Sequence, residues 1–151
     1  MLAFLPVLLL ITGVLVLPFL RKGNHGQGLM WLVTAVSTLV AWLLALALCW
    51  VDTQPFTLGN WLPPVGNGAA VIYQLDEISW PYYFALSSLA VAVVLTSAVW
   101  FRSKEEANPW AWGGILVITA AGMVAVLSGS PLSLILSWTM LDVIDLVFLL
   151  W

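Results

Sequence analysis

The chain has 151 residues, of which 63% are hydrophobic and 7% are charged, whereas charged residues make up about 25% of an average soluble domain. This composition indicates an integral membrane protein. The net charge of −3 and the lack of a basic patch exclude a nucleic-acid partner. The sequence also has no Gly-rich phosphate loop, no catalytic triad and no Cys or His cluster, so it offers no pattern for a catalytic site, a cofactor or a metal.

Five apolar runs are long enough to cross a hydrocarbon core of about 30 Å, which requires roughly 20 mainly apolar residues. They cover residues 2–20, 29–50, 82–101, 111–127 and 132–151. The first run has no basic residue before it and no small-residue cleavage site, so we interpret it as a retained span rather than a secretion signal. The sequence therefore predicts a single all-α transmembrane domain with five helices over residues 1–151.

The basic residues predict the orientation of these helices. All four lie in two short loops, namely Arg21 and Lys22 after the first span and Arg102 and Lys104 after the third. Because loops with an excess of Lys and Arg stay on the cytoplasmic side, we expect the N-terminus and the long loop 51–81 to lie outside.

Tryptophans mark the ends of the predicted spans. Six of the ten fall at or near such an end: Trp31, Trp50, Trp80, Trp100, Trp110 and Trp112. Amphipathic indole rings favour the headgroup layer of a bilayer. We therefore interpret these side chains as membrane anchors and not as a cofactor site.

The outer loop between the second and third spans carries a hairpin signal. Residues 55–58 and 70–75 have strand-like composition, and between them lie Pro63-Pro64 and Gly66-Asn67-Gly68, a strong cluster of turn residues. The sequence therefore predicts a small β-hairpin on the outer side.

Two acids, Asp76 and Glu77, follow the predicted hairpin directly before the third span. A carboxylate at the start of a helix is stabilised by the positive end of the helix dipole, which favours a solvated cap. A role for the pair in ion entry is the alternative.

Two further acids stand in the fifth span. Asp142 and Asp145 are three residues apart, so on a helix their side chains are neighbours on one face. If the span begins at Leu132, Asp142 lies roughly 15 Å into it, near the bilayer midplane. A carboxyl there costs on the order of 2.5 to 3.5 kcal/mol on insertion scales, and such residues normally face a bundle interior or water and mark ion or proton routes.

These two aspartates also permit a structural interpretation, in which both are protonated and hydrogen-bonded to neighbouring Ser or Thr side chains. The predicted spans contain no Lys, Arg or His, so an ionised form needs a positive partner on another chain or beyond Trp151. Because the run after Asp145 stays apolar up to that residue, we expect the chain to be the N-terminal part of a longer subunit.

The order of these features resembles a known family. Two spans, an outer hairpin loop and the segment 75–79, LDEIS, are followed by AAGMVAVLSGSPLSLILSWTMLDVIDLVFLL. Over nearly the whole chain this is similar to the N-terminal third of the antiporter-like membrane subunits of complex I, the NADH-quinone oxidoreductase subunits L, M and N, and of the Mrp-type cation/proton antiporters. The family has an outer β-hairpin and a pattern like Leu-Asp-Gly-Leu-Ser before its third helix.

One position departs from the family pattern. The fifth helix of the family usually shows Trp-Glu-Leu, whose glutamate belongs to a Glu/Lys pair that drives proton transfer. Here Trp138, Thr139 and Met140 stand in that place, and Thr139 does not ionise. We hypothesise that Asp142, one helical turn further on, takes over the position on the same face. The resemblance thus implies Asp142, Asp145 and Thr139 as the proton-transfer candidates.

Two functions remain open. The first is a proton-translocating antiporter-like subunit, or a fragment of one, in a complex I-type NADH-quinone oxidoreductase or cation/proton antiporter. Such a subunit has no redox cofactor of its own, contacts other membrane subunits and the lipid, and spans the bacterial inner membrane. The second is a small accessory subunit that stabilises a larger respiratory or photosynthetic complex. An ordinary small-molecule transporter is disfavoured, because the spans lack the broken helices on which such sites depend.

Overall fold

The computed structural model describes residues 2–20, 26–58, 70–98 and 109–150. Its helices are α1 (Leu5–Leu20), which follows a 3-10 turn at Leu2–Phe4, α2 (Gly26–Ala47), which runs into a 3-10 turn at Leu48–Trp50, α3 (Ser79–Ser97), α4 (Pro109–Val126) and α5 (Pro131–Leu149). Two short strands, β1 (Phe56–Leu58) and β2 (Val71–Tyr73), pair antiparallel. Five helices are long and apolar enough to cross a membrane, so the predicted helical fold and its hairpin are confirmed.

The first four helices form the core of the bundle. α1 packs on α2 and α4, and α3 packs on α2 and α4. Large side chains buried at the centre are Leu10, Leu17, Met30, Tyr83, Leu116, Met123 and Leu127. α5 lies at the edge of this bundle, where it packs on α4 and touches β2.

Close approach of α1 and α2 depends on one glycine. A Cβ atom on Gly13 would lie 2.7 Å from the hydroxyl oxygen of Ser37, closer than side chains tolerate. Small residues at such a crossing let two helix backbones pack tightly. An alanine at this position would force the Ser37 hydroxyl or the two helices to shift.

Three indole N–H groups join α2 to α3. Trp31 donates to the carbonyl oxygen of Val94 at 3.1 Å, and Trp80 donates to that of Ala45 at 2.9 Å. Trp42 donates to the hydroxyl of Ser88 at 2.9 Å. Trp31 and Trp80 thus direct their indole N–H groups into the bundle, and their interpretation as headgroup anchors stays a prediction.

Other tryptophans fit the anchor interpretation better. Trp50 and Trp110, at helix ends, expose 76% and 51% of their surface, whereas Trp112 is half-buried. Trp100 lies outside the described residues.

The hairpin is fixed to the connection between α4 and α5. The amide of Gln74 donates to the carbonyl of Leu127 at 2.7 Å, and the amide of Gly129 donates to the carbonyl of Ile72 at 2.8 Å. The ring of Phe4, at the start of the chain, meets Phe56 and Tyr73 edge-on. The start of α1, the hairpin and the α4–α5 connection thus meet at one end of the bundle, called here the hairpin end.

The four basic residues belong to segments 21–25 and 99–108, which lie outside the described residues. These segments join α1 to α2 and α3 to α4. The helix ends on either side of them lie away from the hairpin: Trp31, near the start of α2, bonds to Val94, near the end of α3, and Gly113, near the start of α4, lies close to Leu17, near the end of α1.

Candidate functional site

The start of α5 is set by a reciprocal pair of serines. The hydroxyl of Ser130 accepts a hydrogen bond from the amide of Ser133 at 3.2 Å, and the hydroxyl of Ser133 accepts one from the amide of Ser130 at 3.0 Å. Pro131 stands at the first helical position, where its missing N–H and fixed φ suit a helix start. The capping box places Asp142 near the middle of α5, about 16 Å along the axis from Pro131.

The two aspartates of α5 differ in burial. Asp142 is exposed and Asp145 is half-buried, although both lie in the same stretch of helix. Asp142 belongs to the side of α5 that faces away from the bundle, together with Ile135, Thr139, Val143 and Leu146, which are all exposed. This set of five residues is called here the outer α5 face.

Among the described residues, no hydroxyl group bonds to the carboxyl of Asp142 or Asp145. Thr139 donates back to the carbonyl of Leu136 at 2.9 Å. Ser137 lies 3.2 Å from the hydroxyl of Ser128 and 3.5 Å from that of Tyr73. The interpretation of Asp142 as a packing acid hydrogen-bonded to a neighbouring Ser or Thr therefore has no support among these contacts.

α5 is also the least buried of the five helices. Only 11% of its span is buried, against 39% for α4. Its exposed residues are nonetheless mainly large and apolar, as in Ile135, Val143 and Leu146. A helix that is apolar all round is typical of one surrounded by protein or lipid, and Asp142 interrupts this apolar surface with a carboxyl.

Hydroxyl groups gather where α5 meets the hairpin. This cluster, which the sequence analysis missed, consists of Tyr73, Ser128, Ser130, Ser133 and Ser137. Ser133 and Ser137 are buried, and Ser130 and Ser133 bring their hydroxyls to 3.0 Å. The signal that could have found it is the spacing of three and four residues between serines around the start of α5.

The hydroxyl cluster and Asp142 lie on opposite sides of α5. Ser133 and Ser137 face the bundle, whereas Asp142 faces away from it. In the described residues, the hydroxyl cluster and Asp142 therefore share α5 but do not form one continuous polar path.

At the hairpin end, Asp76 acts as a cap. Its Oδ1 accepts hydrogen bonds from the amides of Ile78 at 3.1 Å and Ser79 at 2.6 Å, just where α3 begins. The hydroxyl of Ser79 in turn accepts from the amide of Asp76 at 2.9 Å. Hydrogen bonds from the Ser79 backbone and side chain lower the pKa of Asp76, because they stabilise the carboxylate. The structure thus shows the capping role that the sequence favoured for this residue.

Asp76 and Glu77 share a cavity with an acid that the sequence analysis did not select. A cavity of about 500 Å³ is lined by Asp52, Asp76 and Glu77, together with Thr53 and Trp80. Asp52 lines this cavity because α2 packs against α3. The residues that follow α2 therefore lie beside the residues that precede α3. Thr53 fixes this arrangement by donating to the carbonyl of Leu75 at 3.0 Å.

The acidic cavity is negatively charged. Three exposed carboxylates around one opening attract small cations weakly, because solvent and salt screen them. Among the described residues, no three His, Cys, Asp or Glu side chains are arranged to hold a metal ion. An entry role for Asp76 and Glu77 stays a prediction.

Comparison of the chain with protein-family models and with curated protein sequences found no match.

Proposed function

We propose that this chain is a membrane-embedded component of a larger, proton-translocating assembly of the antiporter-like type, and that Asp142 is the ionisable group it contributes. The observation that carries this proposal is the exposure of Asp142 in the middle of the least buried helix. Its support comes from the placement of the helices, the cost of the exposed carboxyl and the position of Asp142 relative to Thr139.

The first step is the placement in a membrane. The five helices have the length and composition of membrane spans, and all four basic residues lie in the sequence between α1 and α2 or between α3 and α4. Loops rich in Lys and Arg stay in the cytoplasm. In the proposed orientation the hairpin end and the N-terminus therefore lie outside, in a bacterial inner membrane.

The second step is the cost of the exposed carboxyl. With α5 across the bilayer, Asp142 lies close to the midplane, where contact with lipid costs on the order of 2.5 to 3.5 kcal/mol. The rest of the outer α5 face tolerates lipid, but this carboxyl requires water or a polar group. A neighbouring protein would supply either one. The exposed carboxyl therefore favours a subunit of a larger assembly over an isolated five-helix protein.

The third step is the position of Asp142 relative to Thr139. In antiporter-like subunits the residue aligned with Thr139 is the glutamate of the proton-transfer pair. Thr139 and Asp142 are both exposed, one turn apart, so a carboxyl at 142 serves the same side of the helix. A proton passes on and off such a group when its hydration or its charged neighbours change, which is how neighbouring subunits would drive it.

An accessory subunit that stabilises a larger complex is the second candidate. None of the five carboxyls in the described part of the chain is buried inside the bundle, and Thr139 has no ionisable group. These observations favour a structural role, whereas the exposed carboxyl of Asp142 favours a role in proton transfer.

Proton movement separates the two candidates. The measurement is proton uptake by vesicles prepared from native membranes that contain the variant Asp142→Asn in its assembly. We expect uptake to fall at least about tenfold, a lower bound on the roughly 10²- to 10⁴-fold contribution of a positioned proton-transfer group. Asp142→Glu keeps the carboxyl and should retain most of the uptake.

An unchanged rate in Asp142→Asn, with the assembly still intact by size, contradicts the proton-transfer role. The accessory function would then be the better account.

A further inference from the structure

α5 is the peripheral helix of the bundle, and its buried residues are polar. Each of α1–α4 packs on at least two other helices, whereas α5 packs chiefly on α4. The buried residues of α5 are Ser133 and Ser137, both in its first two turns. No large apolar side chain of α5 is fully buried, so the part of α5 held inside the structure is its start, next to the hairpin.

Apolar contact alone attaches such a helix weakly in a bilayer. Lipid tails are as apolar as the side chains of α4, so no hydrophobic driving force favours the docked helix over one surrounded by lipid, and packing and hydrogen bonds supply the attachment. Away from the hairpin, the ring of Phe148 packs on α4, 2.9 Å from the position of a Cβ atom on Gly114. This contact contributes packing but no hydrogen bond.

Hydrogen bonds at the start of α5 come from the hairpin. The amide of Gln74 donates to the carbonyl of Leu127 at 2.7 Å, and the amide of Gly129 donates to the carbonyl of Ile72 at 2.8 Å. These two bonds run in opposite directions, as in an antiparallel pair of strands. They join β2 to the short connection from which α5 begins.

A tyrosine of β2 also reaches α5 itself. The hydroxyl of Tyr73 lies 3.5 Å from that of Ser137, which in turn lies 3.2 Å from that of Ser128. The ring of Tyr73 meets Phe4, just before α1, edge-on with the centroids 5.7 Å apart. β2 therefore contacts the start of α1 on one side and α5 on the other. The two backbone bonds and the pair Tyr73–Ser137 are called here the strap.

We propose that the strap holds α5 on a core formed by α1–α4, and that α5 leaves this core as an intact helix when the strap opens. An intact helix keeps its own backbone hydrogen bonds in lipid, so its release leaves none of them unpaired. α5 carries Asp142 and Asp145, and the strap thereby sets the position of both carboxyls. This device goes beyond the proposed function and does not depend on proton transfer.

Distances between two spin labels test the strap in the full chain, reconstituted in lipid vesicles with the exposed Cys49 replaced by Ser. The α5 pair joins labels at position 15 of α1 and position 146 of α5. The core pair joins labels at position 15 and position 89 of α3. The side chains replaced, Leu15, Leu89 and Leu146, are all exposed, so the labels do not disturb buried contacts.

The double variant Gln74→Pro, Ser137→Ala opens the strap. It removes the amide that donates to Leu127 and the hydroxyl that faces Tyr73. A proline at 74 requires an extended residue before it, and Tyr73 in β2 is extended. We expect the α5 pair to show a longer distance whose population rises at least about fivefold over the parent, since hydrogen bonds are lost. The distance of the core pair should stay unchanged.

The matched control is Thr139→Val, which removes a hydroxyl from the outer α5 face. That hydroxyl bonds back to its own helix, so both distances should stay as in the parent. An α5 pair that the double variant leaves unchanged overturns the proposal, because α4 alone would then hold α5. Lengthening of both pairs together, or an equal effect of Thr139→Val, overturns it as well.

The two proposals fail separately. Proton uptake in Asp142→Asn tests the transfer role and leaves the strap untouched. The spin-label distances test how α5 is held, whether or not its carboxyls move protons.

Discussion

The hydroxyl of Tyr83 donates a hydrogen bond of 2.7 Å to the carbonyl oxygen of Ala3, and both residues are buried. The bond joins α3 to the first turn of the chain, 80 residues away in sequence. It gives this buried backbone carbonyl a hydrogen-bond donor. This contact therefore fixes the N-terminal end of the bundle at the hairpin end.

Removing that hydroxyl should destabilise the bundle. Tyr83→Phe is expected to lower the free energy of unfolding in detergent by about 1 kcal/mol, because a buried carbonyl loses its donor. Tyr82→Phe is the matched control, since Tyr82 is 65% exposed and its substitution should change stability little. Equal midpoints of thermal unfolding for the two variants would show that the bond contributes nothing.

The crossing of α1 and α2 offers a second test. Gly13→Ala should lower stability by about 1 to 3 kcal/mol, because the added methyl group overlaps the hydroxyl of Ser37 and the helices must separate. Gly28→Ala is the control, since a Cβ there meets nothing within 4 Å. Thermal unfolding of both variants gives the comparison. The double variant Gly13→Ala, Ser37→Ala should recover part of the loss, and a double variant no better than Gly13→Ala argues against this contact as the cause.

The cap at the start of α3 should depend on pH. The folded-state pKa of Asp76 is lowered from 3.8, so its contribution to stability is complete above that ordinary value and disappears as the pH falls through the lowered pKa. Asp76→Ala should cost on the order of 1 kcal/mol near neutral pH, the usual magnitude for a lost cap. Unfolding measured across acidic pH should show the parent and the variant converge. A difference that persists at the lowest pH would assign the effect to something other than the carboxylate.

The serine cap of α5 should also hold the hairpin in place. Ser130→Ala is expected to cost about 1 kcal/mol and to speed amide hydrogen exchange at Ile72, whose N–H approaches the Ser130 hydroxyl at 3.4 Å. The amide of Gln74 is the internal reference, because it bonds to a backbone carbonyl. Exchange that rises equally at both amides would indicate general loosening of the hairpin instead of loss of this one acceptor.

Much of the fold was predictable because long apolar runs are a strong signal. The hairpin followed from its turn residues, and β1 and β2 both lie inside the predicted segments. The start of α3 was misplaced by three residues. Serine and proline, as at Ser79 and Pro81, are well tolerated in a first turn that Asp76 caps.

The candidate site was less predictable than the fold. The spacing of Asp142 and Asp145 showed that they are neighbours, but not which of them faces the bundle, because the flanking residues of α5 are apolar on every side and carry no amphipathic pattern. The meeting of Asp52 with Asp76 depends on the packing of α2 against α3. The hydrogen bonds of Trp31 and Trp80 likewise depend on tertiary contacts and have no local sequence signal.

The central claim is that this chain works inside a larger assembly of different polypeptides. The most direct test is the native mass of the complex that contains it, extracted gently from its own membrane and separated into its components. We predict that the complex contains polypeptides of other sequence in fixed ratio to this chain. A species made of this chain alone, as a single copy or as a simple multiple, would contradict the claim.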